Sequence, residues 1–231
     1  MKHTEIFDLL KGHLIVSCQA LPDEPLHSSY IMSRMAFAAF EGGAKGIRSN
    51  SVEDIKAIKE TVSLPVIGLI KKVYEGIGAD VYITPTEVEV DALVESGCDI
   101  IAMDATGRVR ANGMTISEYF PIIREKYPDA LFMADCSTYE EGMEAQRLGF
   151  DCVGTTLSGY TPYTKGRSLP DFEMMERLAK DLTIPLIAEG GIWTPEQLKQ
   201  ALATGATAAV VGTAITRPRD ITKRFVAAIE K

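Results

Sequence analysis

Short apolar runs rich in valine and isoleucine recur along the chain, and each is followed by a longer stretch whose apolar residues return every three or four positions. Continuous apolar runs fit strands buried on both faces of a parallel sheet. The three-to-four spacing fits helices packed against that sheet. Eight strand-and-helix units can be read in this way. The strands fall at His13 to Ala20, Ala44 to Asn50, Pro65 to Lys71, Asp99 to Thr106, Leu131 to Thr138, Cys152 to Gly159, Pro185 to Gly191 and Ala208 to Thr216. The helical segments are "SSYIMSRMAFAAFEGG", "SVEDIKAIKETV", "TEVEVDALVESG", "TISEYFPIIREKY", "TYEEGMEAQRLG", "DFEMMERLAKDL" and "TPEQLKQALATG", with Asp220 to Ile229 as the eighth. Several open on Ser, Thr or Asp and close on Gly, the residues that cap helix starts and stops. Pro121 lies inside one of them, where it either sits in the first turn or kinks the helix.

Eight alternating units in 231 residues point to an α/β protein with a closed (β/α)8 TIM barrel. An open doubly wound sheet would show fewer strands and a G-x-G-x-x-G turn after the first, and no such turn is present. No Pro/Ser-rich linker interrupts the pattern, so residues 1–231 are read as a single domain.

Composition narrows the partners. The net charge of −8 comes without any block of Lys or Arg, which argues against a general attraction to nucleic acid or to an anionic membrane surface. An anionic substrate would need a local basic patch. Cys18, Cys98, Cys136 and Cys152 lie in apolar segments without C-x-x-C spacing, and are read as reduced core thiols. The first residues lack the apolar core of a signal peptide, and no run reaches the roughly 18 apolar residues of a membrane span, so the protein is expected in the cytoplasm. His3, His13 and His27 have no ligand spacing and are read as surface or barrel-base residues; no metal is expected.

A barrel of this type builds its site from the C-terminal ends of the strands. Those ends carry Gln19, Arg48 with Asn50, Lys71, Asp104 with Thr106, Asp135 with Ser137, Ser158 with Tyr160, Glu189, and Thr213. The segments "AEGGIWTPEQ" and "VVGTAITRP" provide glycine-rich turns after strands seven and eight, where amides converge on a phosphate. Gly190, Gly191, Gly212 and Thr213 would donate from the backbone, with Arg217 adding a forked contact. Lys71 faces the mouth if the strand alternation continues, and Lys72 then faces away. On placement alone, Lys71 is equally compatible with a snorkelling strand end. Asp104 and Asp135 fit either sugar hydroxyls or the capping of nearby loops.

The motifs "IVSCQA", "GIRSN", "PVIGLIK", "YITPTEVEVDALVESGCDIIAMDAT", "ADCST", "GTTLSGYT", "AEGG" and "GTAITRP" together resemble the N-acetylmannosamine-6-phosphate 2-epimerase family over nearly the whole chain. The resemblance implies interconversion of N-acetylmannosamine 6-phosphate and N-acetylglucosamine 6-phosphate in sialic acid breakdown, by a homo-oligomer, expected to be a dimer. It implies catalytic Lys71 and Glu189, substrate contacts from Gln19, Arg48, Asp135 and Arg217, and Gly191 and Gly212 near the phosphate. Two positions depart from the family pattern. Many relatives follow this lysine with a basic residue and Asp, where the chain has "KVY", and many have Lys or Arg at Gly191. The second departure removes a side-chain contact to phosphate and leaves the amide.

Epimerisation at C2 needs the open-chain aldehyde, which makes the C2 proton acidic, then a base, a proton donor and cations to hold the enolate. No cofactor is called for, because the hydrogen leaves as a proton. Two other readings share these residues: an aldolase using Lys71 as a Schiff base, and a non-catalytic sugar-phosphate-binding barrel.

Overall fold

The computed structural model describes residues 3–76 and 81–230. Helix α1 (His3–Leu10) comes first, followed by β1 (Leu14–Cys18), α2 (Ser29–Glu41), β2 (Gly46–Asn50), α3 (Val52–Thr61), β3 (Val66–Leu69) and α4 (Glu87–Ser96). Then come β4 (Ile100–Asp104), α5 (Ile116–Lys126), β5 (Phe132–Asp135), α6 (Tyr139–Leu148), β6 (Cys152–Gly154) and α7 (Phe172–Asp181). The last elements are β7 (Leu186–Ala188), α8 (Pro195–Ala203), β8 (Ala208–Val211), α9 (Thr213–Thr216) and α10 (Pro218–Ile229). Each strand pairs in parallel with the next, and β8 closes on β1, giving the expected (β/α)8 barrel.

Reciprocal Thr–Glu or Thr–Gln capping boxes start α4, α5, α6 and α8, satisfying amides that a helix start leaves free. Gly97 and Gly149 end α4 and α6 in the left-handed region, as a glycine stop requires. Pro121 lies within α5 beyond its first turn. The strands are shorter than the apolar runs suggested, because the last residues of each run leave the sheet to form the mouth. The run from Ala208 divides into β8 and the short helix α9.

Helix α1 was not among the expected elements, since its charged residues break the apolar pattern. Its buried Ile6 and Leu10 nevertheless pack with Ile15, Ile67, Ile100 and Ala208 inside the barrel, stopping its lower end. Gly46 makes room for this plug: a Cβ there would come 2.8 Å from Leu10 Cδ2. His13 and His27 lie at the surface, and the side chain of His3 falls outside the described residues.

Strand alternation sorts the side chains into two layers. Ile67 and Leu69 of β3, Ile100 and Ala102 of β4, and Met133 of β5 point into the barrel, whereas Val66, Ile101 and Phe132 meet the helices. The same parity carried upward turns Arg48, Lys71, Asp104, Asp135, Thr156 and Glu189 inward. Apolar residues fill the lower barrel, and charged ones begin above them.

Gly68 shows how tightly β3 is seated against the outer layer. A Cβ there would lie 2.8 Å from Cys98 Cβ and 2.8 Å from Ile55 Cδ1. Gly68→Ala is therefore expected to cost about 1–3 kcal/mol of stability by overpacking. In a melt followed by far-UV circular dichroism, Tm should fall by roughly 2–4 °C for each kcal/mol; an unchanged Tm would mean that Ile55 and Cys98 yield freely.

Candidate active site

The upper ends of the strands surround a cavity of about 490 Å³. Gln19, Arg48, Lys71, Glu189, Gly191, Gly212, Thr213 and Arg217, eight of the nine residues expected at the site, line it. Asp135 is the ninth, and it does not. It is fully buried beneath the cavity, where its carboxylate accepts from Arg48 Nη1 at 3.0 Å and Nη2 at 2.6 Å.

Arg48 rises from β2 onto the apolar plug, with Nη1 3.6 Å from Met133 Sδ. The same Nη1 stands 3.0 Å from Glu189 Oε2, so one guanidinium joins β2, β5 and β7. Burial opposes the charge of Arg48, but Asp135, followed by Glu189, outweighs it and holds the guanidinium firmly protonated. Thr156 Oγ1 completes the cluster, 2.6 Å from Asp135 Oδ1 and 3.1 Å from Glu189 Oε2. Its neighbour Thr155 fixes the Glu189 backbone: Oγ1 donates to Glu189 O at 2.7 Å and accepts from Glu189 N at 2.9 Å. Burial raises the Glu189 carboxyl above its ordinary range despite Arg48, and Asp135 adds to the rise. That favours a carboxyl able to hold a proton.

Lys71 lies just past β3, in a short antiparallel bridge with Ile83. Its amide donates to Asn50 Oδ1 at 2.7 Å, and the flanking pairs Lys72 N to Tyr82 O and Thr84 N to Ile70 O measure 2.9 and 2.8 Å. The partner segment is anchored in turn by the buried Arg110, which donates to Thr84 O at 2.8 Å and Pro85 O at 3.0 Å. This scaffold fixes the backbone from which the ammonium group is aimed. Burial, then Arg217 and Arg48, push the Lys71 amine down to about 8, against the pull of Glu189 and Asp135. Lys72 is exposed, its Nζ 5.4 Å from the centre of the Tyr74 ring. The alternation thus separates the two lysines as expected.

The turns after β7 and β8 form the other end of the cavity. Gly190 and Gly191 have φ of 111° and 70°, a region open to glycine at little cost. A Cβ on Gly212 would lie 3.1 Å from Ser17 Cβ, so this turn sits close against β1. Arg217 reaches the same end, its Nη2 3.3 Å from Glu24 Oε2.

Several polar strand ends act in the frame. Asp104 is buried, paired with Arg108 Nη2 at 2.6 Å and accepting from Thr106 Oγ1 at 2.6 Å; like Asp135 it does not line the cavity. Ser137 Oγ donates to Glu141 at 2.7 Å and Ser158 Oγ to Asp171 at 2.7 Å, both at helix starts. Conversely, Ser17, Tyr82, Thr156, Trp193 and Arg219 line the cavity without having been singled out. Thr156 was detectable: it has the inward parity of Cys152 and Gly154. Arg219 had no signal in the sequence, since its place depends on the turn into α10. Among the described residues, no three His, Cys, Asp or Glu side chains come together as a metal-binding group. Nor is any helix long and apolar enough to cross a membrane.

The model of the N-acetylmannosamine-6-phosphate epimerase family matches residues 32–231. A protein of Caldanaerobacter subterraneus subsp. tengcongensis named as an N-acetylmannosamine-6-phosphate 2-epimerase is 58% identical over 227 residues, 98% of this chain and 95% of that protein. A Clostridioides difficile protein of the same name is 57% identical over 225 residues, 97% of this chain and 99% of its own length. The solved structure of the N-acetylmannosamine-6-phosphate 2-epimerase from Clostridium perfringens has a TM-score of 0.91 at 56% identity, covering 96% of each chain. A thiamine phosphate pyrophosphorylase from Pyrococcus furiosus, with a TM-score of 0.63 at 18% identity, shares the barrel fold alone. With a family match over residues 32–231 and relatives this similar end to end, the chain belongs to the N-acetylmannosamine-6-phosphate epimerase family.

Proposed function

We propose that the chain is a 2-epimerase that interconverts N-acetylmannosamine 6-phosphate and N-acetylglucosamine 6-phosphate by proton transfer at C2. The observation that supports this most strongly is the pairing, in one cavity, of an amine with lowered pKa on Lys71 and a carboxyl with raised pKa on Glu189. Such opposed shifts mark a base and an acid able to work at the same pH. They extend from β3 and β7, four strands apart in a ring of eight, and so from opposite walls.

In the open-chain sugar the C2 proton lies beside the C1 aldehyde. Neutral Lys71 takes that proton, the C2–H electron pair moves into the enolate, and negative charge collects on the carbonyl oxygen. Arg48 supplies the fixed positive charge of the cavity floor, and stabilising a developing anion with a preorganised cation requires little rearrangement. Return of a proton to C2 on the other face gives the epimer. Glu189 contributes a proton either there or at the ring oxygen. Gln19 contributes an amide whose Oε1 is buried without a hydrogen-bond partner, an acceptor suited to a substrate N–H or hydroxyl. The Gly191, Gly212 and Thr213 amides with Arg217 would hold the 6-phosphate. Asp135 acts from beneath, by fixing Arg48. An amine of lowered pKa would serve a Schiff-base aldolase too, so the epimerase reading is preferred on the family match, and a binding-only barrel would have no use for the acid and base pair.

The four cysteines are unpaired, which fits a cytoplasmic setting. A homodimer is supported by α10, which buries none of its side chains and leaves Phe225 73% and Ile229 82% exposed. A second copy would cover that apolar side. Sedimentation should give twice the chain mass, and Phe225→Asp should shift it toward one; a monomeric native protein would reject the dimer.

NMR of each 6-phosphate in deuterated water tests substrate, stereochemistry and exchange together. Lys71→Met should reduce both epimerisation and deuterium entry at C2 by at least about 10²-fold, as expected for a lost general base. Lys72→Met should do far less. Near-normal turnover by the Lys71→Met protein would refute the assignment. Glu189→Gln should impair epimerisation as well: retained exchange into unchanged substrate assigns Glu189 to the second face of C2, and joint loss assigns it to ring opening.

A pH profile provides an independent check. Lys71 must be neutral to accept a proton, and it is protonated below its pKa of about 8. In the direction where Lys71 removes the C2 proton, a neutral Lys71 and a protonated Glu189 are both required, so kcat/KM should be bell-shaped in pH, with Lys71 setting one of the two limbs. Arg217→Met removes a cation that helps to lower the Lys71 pKa, so that limb should move to higher pH. A limb that stays in place would separate Arg217 from the electrostatics of Lys71.

A further inference from the structure

We propose that Arg219 is a second phosphate-binding residue and that Glu24 is a positioning residue that holds Arg217 and Arg219 side by side; this rests on the phosphate reading given above. Both arginines line the cavity, as do Gly191 and Gly212. Each is held by a different oxygen of one carboxylate: Arg217 Nη2 lies 3.3 Å from Glu24 Oε2, and Arg219 Nη2 lies 3.0 Å from Glu24 Oε1. Glu24 is itself anchored, with its side chain 8% exposed and Oε2 accepting the Leu21 amide at 2.8 Å.

Backbone geometry presents the two guanidiniums together. They flank Pro218, and the Arg217 carbonyl accepts from Asp220 N and Ile221 N, both at 3.0 Å, to start α10. Arg217 and Arg219 are 27% and 40% exposed at the side chain, enough for a ligand to reach both.

Charge supplies the reason for a second arginine. Two like charges this close repel, and Glu24 offsets that repulsion while limiting the freedom of two long side chains before any ligand arrives. Less ordering is then left for the binding step. A phosphate has three terminal oxygens and close to two negative charges, more than one guanidinium fork can satisfy. Asp220 also lines the cavity, its Oδ1 3.9 Å from Arg219 Nε and 3.7 Å from Lys223 Nζ, so in a chain with a net charge of −8 Arg217 and Lys223 alone would only balance Glu24 and Asp220 and leave this end without net positive charge. The second arginine restores it.

A surface ion pair would look similar but have little consequence, since exposed pairs contribute about 0–1 kcal/mol to stability and nothing to ligand affinity. The two cases separate on the inhibition constant of inorganic phosphate, measured against epimerisation for the native protein, Arg219→Met, Arg219→Lys and Glu24→Gln. In Arg219→Met the phosphate constant should rise about tenfold, and kcat/KM for the 6-phosphate sugar should fall by a similar factor, as for one lost charge-assisted contact. Arg219→Lys should recover part of the loss. Glu24→Gln should also weaken phosphate, although it makes the site less negative, because the arginines lose their common tether. An unchanged phosphate constant in Arg219→Met would overturn the role of Arg219. Tighter phosphate binding in Glu24→Gln would make Glu24 a competitor and overturn its positioning role. A native protein that ignores phosphate and handles N-acetylmannosamine as well as its 6-phosphate would overturn the underlying phosphate reading instead.

Discussion

The guanidinium of Arg48, withdrawn from water on top of an apolar barrel and clasped by Asp135, is the interaction on which the rest of the site depends. A charge buried to 1% exposure needs close partners, and Asp135 meets two of its donors at 3.0 and 2.6 Å, while Nε is buried without one. Removing Arg48 would leave Asp135 a buried charge without its cation, a loss of about 3–5 kcal/mol for buried pairs, whereas removing Asp135 would leave Arg48 with Glu189 alone. The pair cross-links β2 to β5, and through Glu189 to β7. Its position follows from the layers beneath: Ile15, Ile67, Ile100 and Met133 fill the interior, so the first inward polar residues can only stand above them.

Opposed proton affinities arise from that one cluster. Arg48 lowers the proton affinity of Lys71 from across the cavity, in addition to burial and Arg217. The same Arg48 resists the rise at Glu189, but burial and Asp135 prevail. A single cation therefore serves two groups with different needs. For the lysine it discourages a proton, and for the carboxyl it holds the group in place while opposing the rise that burial causes. Thr156, sharing its hydroxyl between Asp135 and Glu189, ties the acid to the buried pair.

At the opposite end, where the phosphate is proposed to bind, the cavity presents groups of another kind. Backbone amides at glycine turns cannot change charge, and Arg217 and Arg219 are tethered to a carboxylate. Titratable groups of shifted pKa thus lie at the strand ends, and permanent donors lie in the loops after β7 and β8. An acidic protein can in this way receive an acidic substrate: the attraction is local, confined to a few side chains, while the bulk of the surface keeps its negative charge.

The sequence alone determined the eight-unit barrel, the side of β3 on which Lys71 rather than Lys72 emerges, and the glycine turns after β7 and β8. Each is a local property: apolar periodicity, two-residue alternation and turn chemistry repeat over a few neighbouring positions. It also pointed to Glu189, because a carboxylate directly before two glycines is set by the chain itself. The tertiary structure alone decided which acids face the cavity. Asp104, Asp135 and Glu189 have the same inward parity, yet two are buried under arginine partners and one lines the cavity. The partner of Asp135 comes from another strand, at a distance set by barrel closure, and that of Asp104 from the loop that follows its own strand. The pairing of Arg219 with Glu24 is the extreme case: 195 positions apart in the chain, they meet because β8 closes on β1 and brings the turn into α10 against the loop after β1. Coulomb attraction and burial act through space, and no pattern along the chain records which distant charge will be within 3 Å.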